Sequence, residues 1–69
     1  MRDEEMQELS TYMNGDLRAD TIVDKGVFGA RFYNNRGEII GTEFYKGHSE
    51  TYAENAAENY VLGIKTVGI

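Results

Sequence analysis

The chain has one histidine, His48, and no cysteine. A general base works only with a partner in hydrogen-bond reach, and no Ser/His/Asp arrangement is legible around His48. It precedes a serine suited to capping a helix, so it reads as a polar loop residue rather than a proton shuttle. Without cysteine there is no disulfide, no CxxC zinc site and no thiol nucleophile. Asp16, Asp20 and Asp24 are spaced by four, but across a loop and a strand rather than along one helix. They lack the alternating ligands and terminal Glu of an EF-hand. Lys25-Gly26-Val27-Phe28-Gly29 is too short for a phosphate loop, and no GK[ST] follows it. The expectation is a non-enzymatic protein with no metal and no cofactor.

Two sets of residues could instead hold a partner. Glu50, Glu54 and Glu58 are four apart and would line one helical face. Like charges at that spacing cost a few tenths of a kcal/mol per pair, so they make either a solvated face or a negative surface for a basic protein. The second set mixes aromatic, aliphatic and cationic side chains. Val27, Arg31, Tyr33, Ile39, Glu43 and Tyr45 would share the outer face of a sheet, with Tyr33 opposite Ile39 and Val27 opposite Tyr45. Tyrosine and arginine over an apolar base is an interface-like mixture.

The elements that would position these residues follow from periodicity. Met6, Leu9 and Met13 recur at helical spacing beside Tyr12, and Asp3, Glu4 and Glu5 suit the positive end of a helix dipole, so residues 3–13 read as a helix. Asn14-Gly15 reads as its stop. Strands are expected over 20–24, 27–34 and 38–46, separated by turns at Asp24-Lys25-Gly26 and Asn34 to Gly37. A three-residue loop of Asn35, Arg36 and Gly37 would pair Asn34 with Glu38. Phe32 would then face Ile40, Ala30 would face Thr42 and Phe28 would face Phe44. Residues 49–62 form the clearest helix, with Ser49 as its N-cap, Gly63 at its C-terminal cap, and Tyr52, Ala53, Ala56, Ala57, Tyr60 and Val61 as its apolar stripe. The expected core is Phe28, Phe32, Phe44, Ala56 and Ala57. The apolar tail, Ile64 to Ile69, could add a short strand. The fold class is therefore α+β: a single domain over 1–69 in the order α-β-β-β-α, a three-stranded antiparallel sheet with two helices on one face.

That order resembles the double-stranded-RNA-binding domain. The likeness is carried by GEIIGTEFYKGHSETYAENAAENYVL, with Gly37, Gly41, Gly47, Ser49, Ala53, Ala56 and Ala57 at matching places. The resemblance implies the fold but not the activity. The family's lysine cluster at the start of its second helix corresponds here to Glu50, Thr51 and Glu54. Its long first loop, which carries a His, corresponds to Asp24-Lys25-Gly26. Duplex RNA is recognised by shape with phosphate and 2′-hydroxyl contacts, and the groups that make them are missing. The same Gly-His-Ser…Tyr-Ala-Glu…Ala-Ala-Glu-Asn run also resembles small uncharacterised bacteriophage proteins, which would imply action in a host cytoplasm.

Length and charge bound the rest. Sixty-nine residues make one small domain that buries only roughly 60% of its unfolded surface. The net charge of −5 disfavours nucleic-acid backbones, whose binding relies on Lys and Arg. No apolar run approaches the roughly 20 residues of a membrane span, and no basic-then-apolar leader is present. The expected role is protein interaction, either with a basic partner or as a homodimer, in the cytoplasm. The alternatives are a nucleic-acid binder that uses the outer sheet face and a small inhibitor of a cellular enzyme.

Overall fold

Hairpin turns organise the chain. The computed structural model describes residues 6–67. Strand β1 runs Met6–Asn14, β2 Leu17–Asp24, β3 Val27–Tyr33 and β4 Ile39–Phe44, followed by helix α1 at Glu50–Val61. The strands form one antiparallel sheet in the order β1-β2-β3-β4. Among the described residues the fold is α+β with four strands and one helix. Between β1 and β2 only Gly15 and Asp16 intervene, and Asn14 pairs with Leu17. Between β2 and β3 the turn is Lys25-Gly26, with φ of 53° and 81°. Positive φ at both central positions is what a type I′ hairpin turn needs, and glycine fills one of them without strain.

The helix expected over 3–13 is a correction. Residues 6–13 lie in β1, paired with β2 along its length, while residues 3–5 lie outside the described residues. The spacing of Met6, Leu9 and Met13 imitates a helix because β1 carries a bulge. Its register shifts between Glu8 and Ser10, which leaves Leu9 as an extra residue. A bulge interrupts the two-residue alternation of a strand. The second strand also begins earlier than expected, at Leu17. Two helices on one face are therefore replaced by one helix and a fourth strand. Residues 64–67 of the tail form no strand, and residues 68–69 lie outside the described residues.

A second bulge decides what faces outward on β4. The expected pairing holds at the loop: the Asn34 N–H donates to the Glu38 carbonyl at 2.9 Å, and Tyr33 pairs with Ile39. Beyond it Phe32 pairs with Gly41, so Ile40 is inserted. Arg31 then faces Thr42, Ala30 faces Glu43 and Gly29 faces Phe44. A one-residue slip sends every later side chain to the other face. Glu43 and Tyr45 therefore point to the helix side, and Thr42 and Phe44 point outward.

Helix α1 lies over β1, β2 and β3 but not over β4. Ser49 caps its start, accepting from the Tyr52 N–H. Its end closes in a Schellman motif: the Ile64 N–H donates to the Asn59 carbonyl at 2.8 Å and the Gly63 N–H to that of Tyr60 at 3.0 Å. Ala53 and Ala57 are small enough to bring the helix close to Ala19, Ala30 and Phe32, all fully buried. Tyr60 meets Phe32 edge-on at 5.0 Å and donates its hydroxyl proton to the Tyr33 carbonyl at 2.7 Å. Of the expected core, Phe32 and Ala57 are buried, Phe28 and Ala56 are half-buried, and Phe44 is 43% exposed. Phe44 leaves the core because the second bulge turns it outward. The space beside α1, above β4, is taken by the tail, where Val67 crosses Gly41 so closely that a Cβ there would stand 2.8 Å from its Cγ1.

Candidate protein-interaction face

The sheet face away from α1 is uncovered by any other described element. Pairing and pleat place its side chains in rows across the four strands. The row nearest the Lys25-Gly26 turn holds Met6, Asp24 and Val27. The next holds Glu8, Ile22, Gly29 and Phe44. Then come Thr11, Asp20, Arg31 and Thr42, and finally Met13, Arg18, Tyr33 and Ile39.

A charged network fills the centre. Asp20 is fully buried and accepts five hydrogen bonds. Thr11 donates at 2.9 Å, Arg18 through Nε at 3.1 Å and Nη2 at 3.2 Å, Arg31 through Nη2 at 3.3 Å, and the Tyr33 hydroxyl at 3.0 Å. Arg31 also pairs with Glu8. The Arg18 guanidinium lies 4.6 Å from the Tyr33 ring centre, in cation–π range. Burial penalises the charged form of Asp20, but the donors from Thr11, Arg18, Tyr33 and Arg31 outweigh it and hold the carboxyl below its ordinary pKa. Burial, followed by the bond to Asp20, pushes the Tyr33 phenol up. Gly29 lets β4 come close: a Cβ there would stand 2.3 Å from the Glu43 carbonyl oxygen and 2.9 Å from Cδ1 of Phe44, which leans over it.

Exposed apolar side chains stand near the four corners. Met6 is 37% exposed, Met13 70%, Ile39 57% and Phe44 43%. Beside Phe44 a shallow groove of about 330 Å3 is lined by Asp24, Lys25, Val27, Phe44 and Lys46. Among the described residues, two buried side-chain polar atoms lack a hydrogen-bond partner, Asp24 Oδ1 and Arg31 Nε. Both belong to residues of this face. Buried polar atoms are rarely left so.

Of the residues expected to bind a partner, Val27, Arg31, Tyr33 and Ile39 are together on this face. Tyr45 is not. It turns to the helix side, donates to Glu43 at 2.7 Å and lines a cleft of about 250 Å3 with Tyr52, Asn55, Ala56, Asn59 and Lys65. His48 stacks on Tyr52 there at 3.9 Å. Glu50, Glu54 and Glu58 lie on the flank of α1 opposite that cleft, by helical spacing. None has a salt-bridge partner among the described residues. Glu8, part of the helix expected over 3–13, is on the sheet instead.

The sequence reading missed Asp20, Met6, Met13, Thr42 and Phe44 as members of this face. An acid beside Ile22 in a β-branched run, with Arg18 and Arg31 available at alternating positions, was the readable signal for Asp20. Among the described residues no three potential metal ligands converge, and no helix is long and apolar enough to cross a membrane. Comparison with family models, curated proteins and solved structures gives no match.

Proposed function

We propose that this chain is a small non-enzymatic protein-interaction module whose docking surface is the uncovered sheet face. The observation that carries the reading is the pattern of that face: exposed apolar corners around a cross-linked charge network, with the two orphaned polar atoms in the same place. Tyr, Phe, Met and Arg are the residue types enriched at interfaces over the rest of a protein surface. Both sheet edges carry a bulge, a device that discourages strand addition, which leaves the face rather than an edge as the docking surface. Catalysis has no support in the same groups. A general base near neutrality needs a raised carboxyl pKa and a free lone pair, and Asp20 has a lowered pKa and an oxygen shell filled with donors.

The test is photo-crosslinking in cells with a benzophenone side chain at Thr42, on the sheet face, and separately at Glu58, on the helix flank. Adducts from position 42 and none from 58 are expected. Adducts from 58 alone would move the interaction to the acidic stripe and a basic partner. No adducts from either would remove the interaction reading.

A further inference from the structure

We infer that the cleft between α1, the end of β4 and the tail is a binding site for one neutral, polyhydroxylated ring, a single hexose unit. The site is on the helix side of the sheet and stands apart from the sheet-face reading. Its walls are the rings of Tyr45 and Tyr52, and its polar lining comes from Asn55, Asn59 and Lys65. Its volume of about 250 Å3 falls below the roughly 300–1,000 Å3 of sites for drug-sized ligands, so the occupant is smaller than those.

Charge, ring geometry and hydrogen bonding narrow the ligand class. Lys65 Nζ pairs with Glu43 Oε1 at 3.2 Å, and the Tyr45 hydroxyl donates to the same oxygen at 2.7 Å. Burial raises the Glu43 pKa, but the bonds from Tyr45 and Lys65 outweigh it and hold it below its ordinary value. The cation in the lining is therefore already matched by an ionised partner, and the cleft has no net positive charge to draw a phosphate or a carboxylate. The two tyrosine rings meet at 71° with centres 5.1 Å apart, and His48 already stacks on Tyr52 at 3.9 Å. A flat base gains most from an open ring face. Here one ring edge faces the other ring, which makes a corner suited to the C–H surface of a puckered ring. Asn55 and Asn59 are one turn apart on α1, with about 5–6 Å between their Cβ atoms, comparable to the span of one sugar ring with its hydroxyls. Both are exposed, and neither carboxamide has a partner among the described residues. A carboxamide offers donors and an acceptor together, which is what a hydroxyl, itself donor and acceptor, requires. The frame is set in advance. The Asn59 carbonyl accepts from the Ile64 N–H at 2.8 Å and the Lys65 N–H at 3.1 Å, which ties the tail to α1, and Glu43 fixes Tyr45 and Lys65. Preorganisation of this kind lowers the entropic cost of binding.

The test is titration of the 15N-labelled intact chain with glucose, galactose, mannose and N-acetylglucosamine to about 50 mM, which reaches millimolar affinities. At least one sugar should move the side-chain amide signals of Asn55 and Asn59 and the backbone signal of Lys65 in a saturable way. Adenosine and inorganic phosphate, as counter-probes, should leave those signals in place. Asn55→Ala with Asn59→Ala should weaken the sugar at least tenfold without lowering the thermal melt, since both side chains are exposed. A linear trisaccharide of the bound sugar separates two sources of the same chemistry. Tenfold tighter binding assigns the site to the end of a glycan, and equal or weaker binding assigns it to the free monosaccharide. No saturable shift with any of the four sugars would overturn the site. So would undiminished binding by the double variant, or a larger response to adenosine or phosphate than to every sugar.

Discussion

Ala19 and Asp20 are neighbours on β2, both fully buried, and they face opposite sides of the sheet. Ala19 is covered by the helix, under Ala57, Tyr60 and Val61. Asp20 is covered by side chains of its own sheet, Thr11, Arg18, Arg31 and Tyr33. One side is closed by apolar packing between layers and the other by hydrogen bonds within a layer. The apolar side depends on shape and volume. The polar side depends on every donor finding its acceptor, because a half-satisfied buried network is worse than none. Among the described residues the two orphaned buried polar atoms both belong to the outer side, which also holds four exposed apolar corners.

The contrast can be broken first at its apolar side. Phe32→Ala removes the largest fully buried side chain and should cost on the order of 3–5 kcal/mol. A domain this small holds roughly 3–10 kcal/mol in all, so the variant should be largely unfolded by circular dichroism at room temperature. A melt like that of wild type would mean that Phe32 is not the keystone of the helix side.

Asp20→Ala should be the next largest effect, about 3 kcal/mol, because it leaves Arg31 nearly buried without its main counter-charge. The lowered pKa of Asp20 gives a pH signature with a definite sign. Its contribution is present above the unfolded carboxyl pKa of about 3.9 and is lost as pH falls through its lower folded value. Acid unfolding of wild type should therefore steepen below about pH 4, and Asp20→Asn should flatten that limb. An unchanged acid limb in Asp20→Asn would show that the network carries no charge-dependent stability.

The smallest effect lies outside both faces. Glu50→Gln, Glu54→Gln and Glu58→Gln together should raise stability by a few tenths of a kcal/mol per pair as repulsion along α1 is relieved. Chemical denaturation resolves this as a higher midpoint with an unchanged slope.

The elements legible in the sequence are those whose pattern is unbroken. Val27 to Tyr33 alternates cleanly, and Ser49 and Gly63 bracket a stripe of alanine and tyrosine, so β3 and α1 emerge within a residue or two. β1 does not, because Leu9 is inserted into it, so that Met6, Leu9 and Met13 fall at three- and four-residue intervals. Ser10-Thr11-Tyr12 before Asn14-Gly15 was a hairpin signal, outweighed by that false periodicity. The candidate face was legible on β3, where Arg31 and Tyr33 alternate with Phe32. It was misread on β4, where the inserted Ile40 exchanges Tyr45 for Phe44. A bulge depends on where a strand meets its neighbour, and its interruption of the alternation cannot be told from another periodicity in a single strand's own pattern.

The meander order of the strands also bears on how the chain reaches this structure. Every strand pairs with the strand next to it in sequence, so the sheet grows by closing loops of two to five residues rather than by bringing distant segments together. Loop-closure entropy rises with loop length, and folding slows as contacts become less local. For this topology the costly long-range step is the docking of α1 onto β1, β2 and β3. The helix is also synthesised after all four strands, and at twelve residues it is too short to persist alone in water. Its nucleation then waits on a preformed sheet, so a chain emerging from the ribosome would fold from its first hairpin toward its helix.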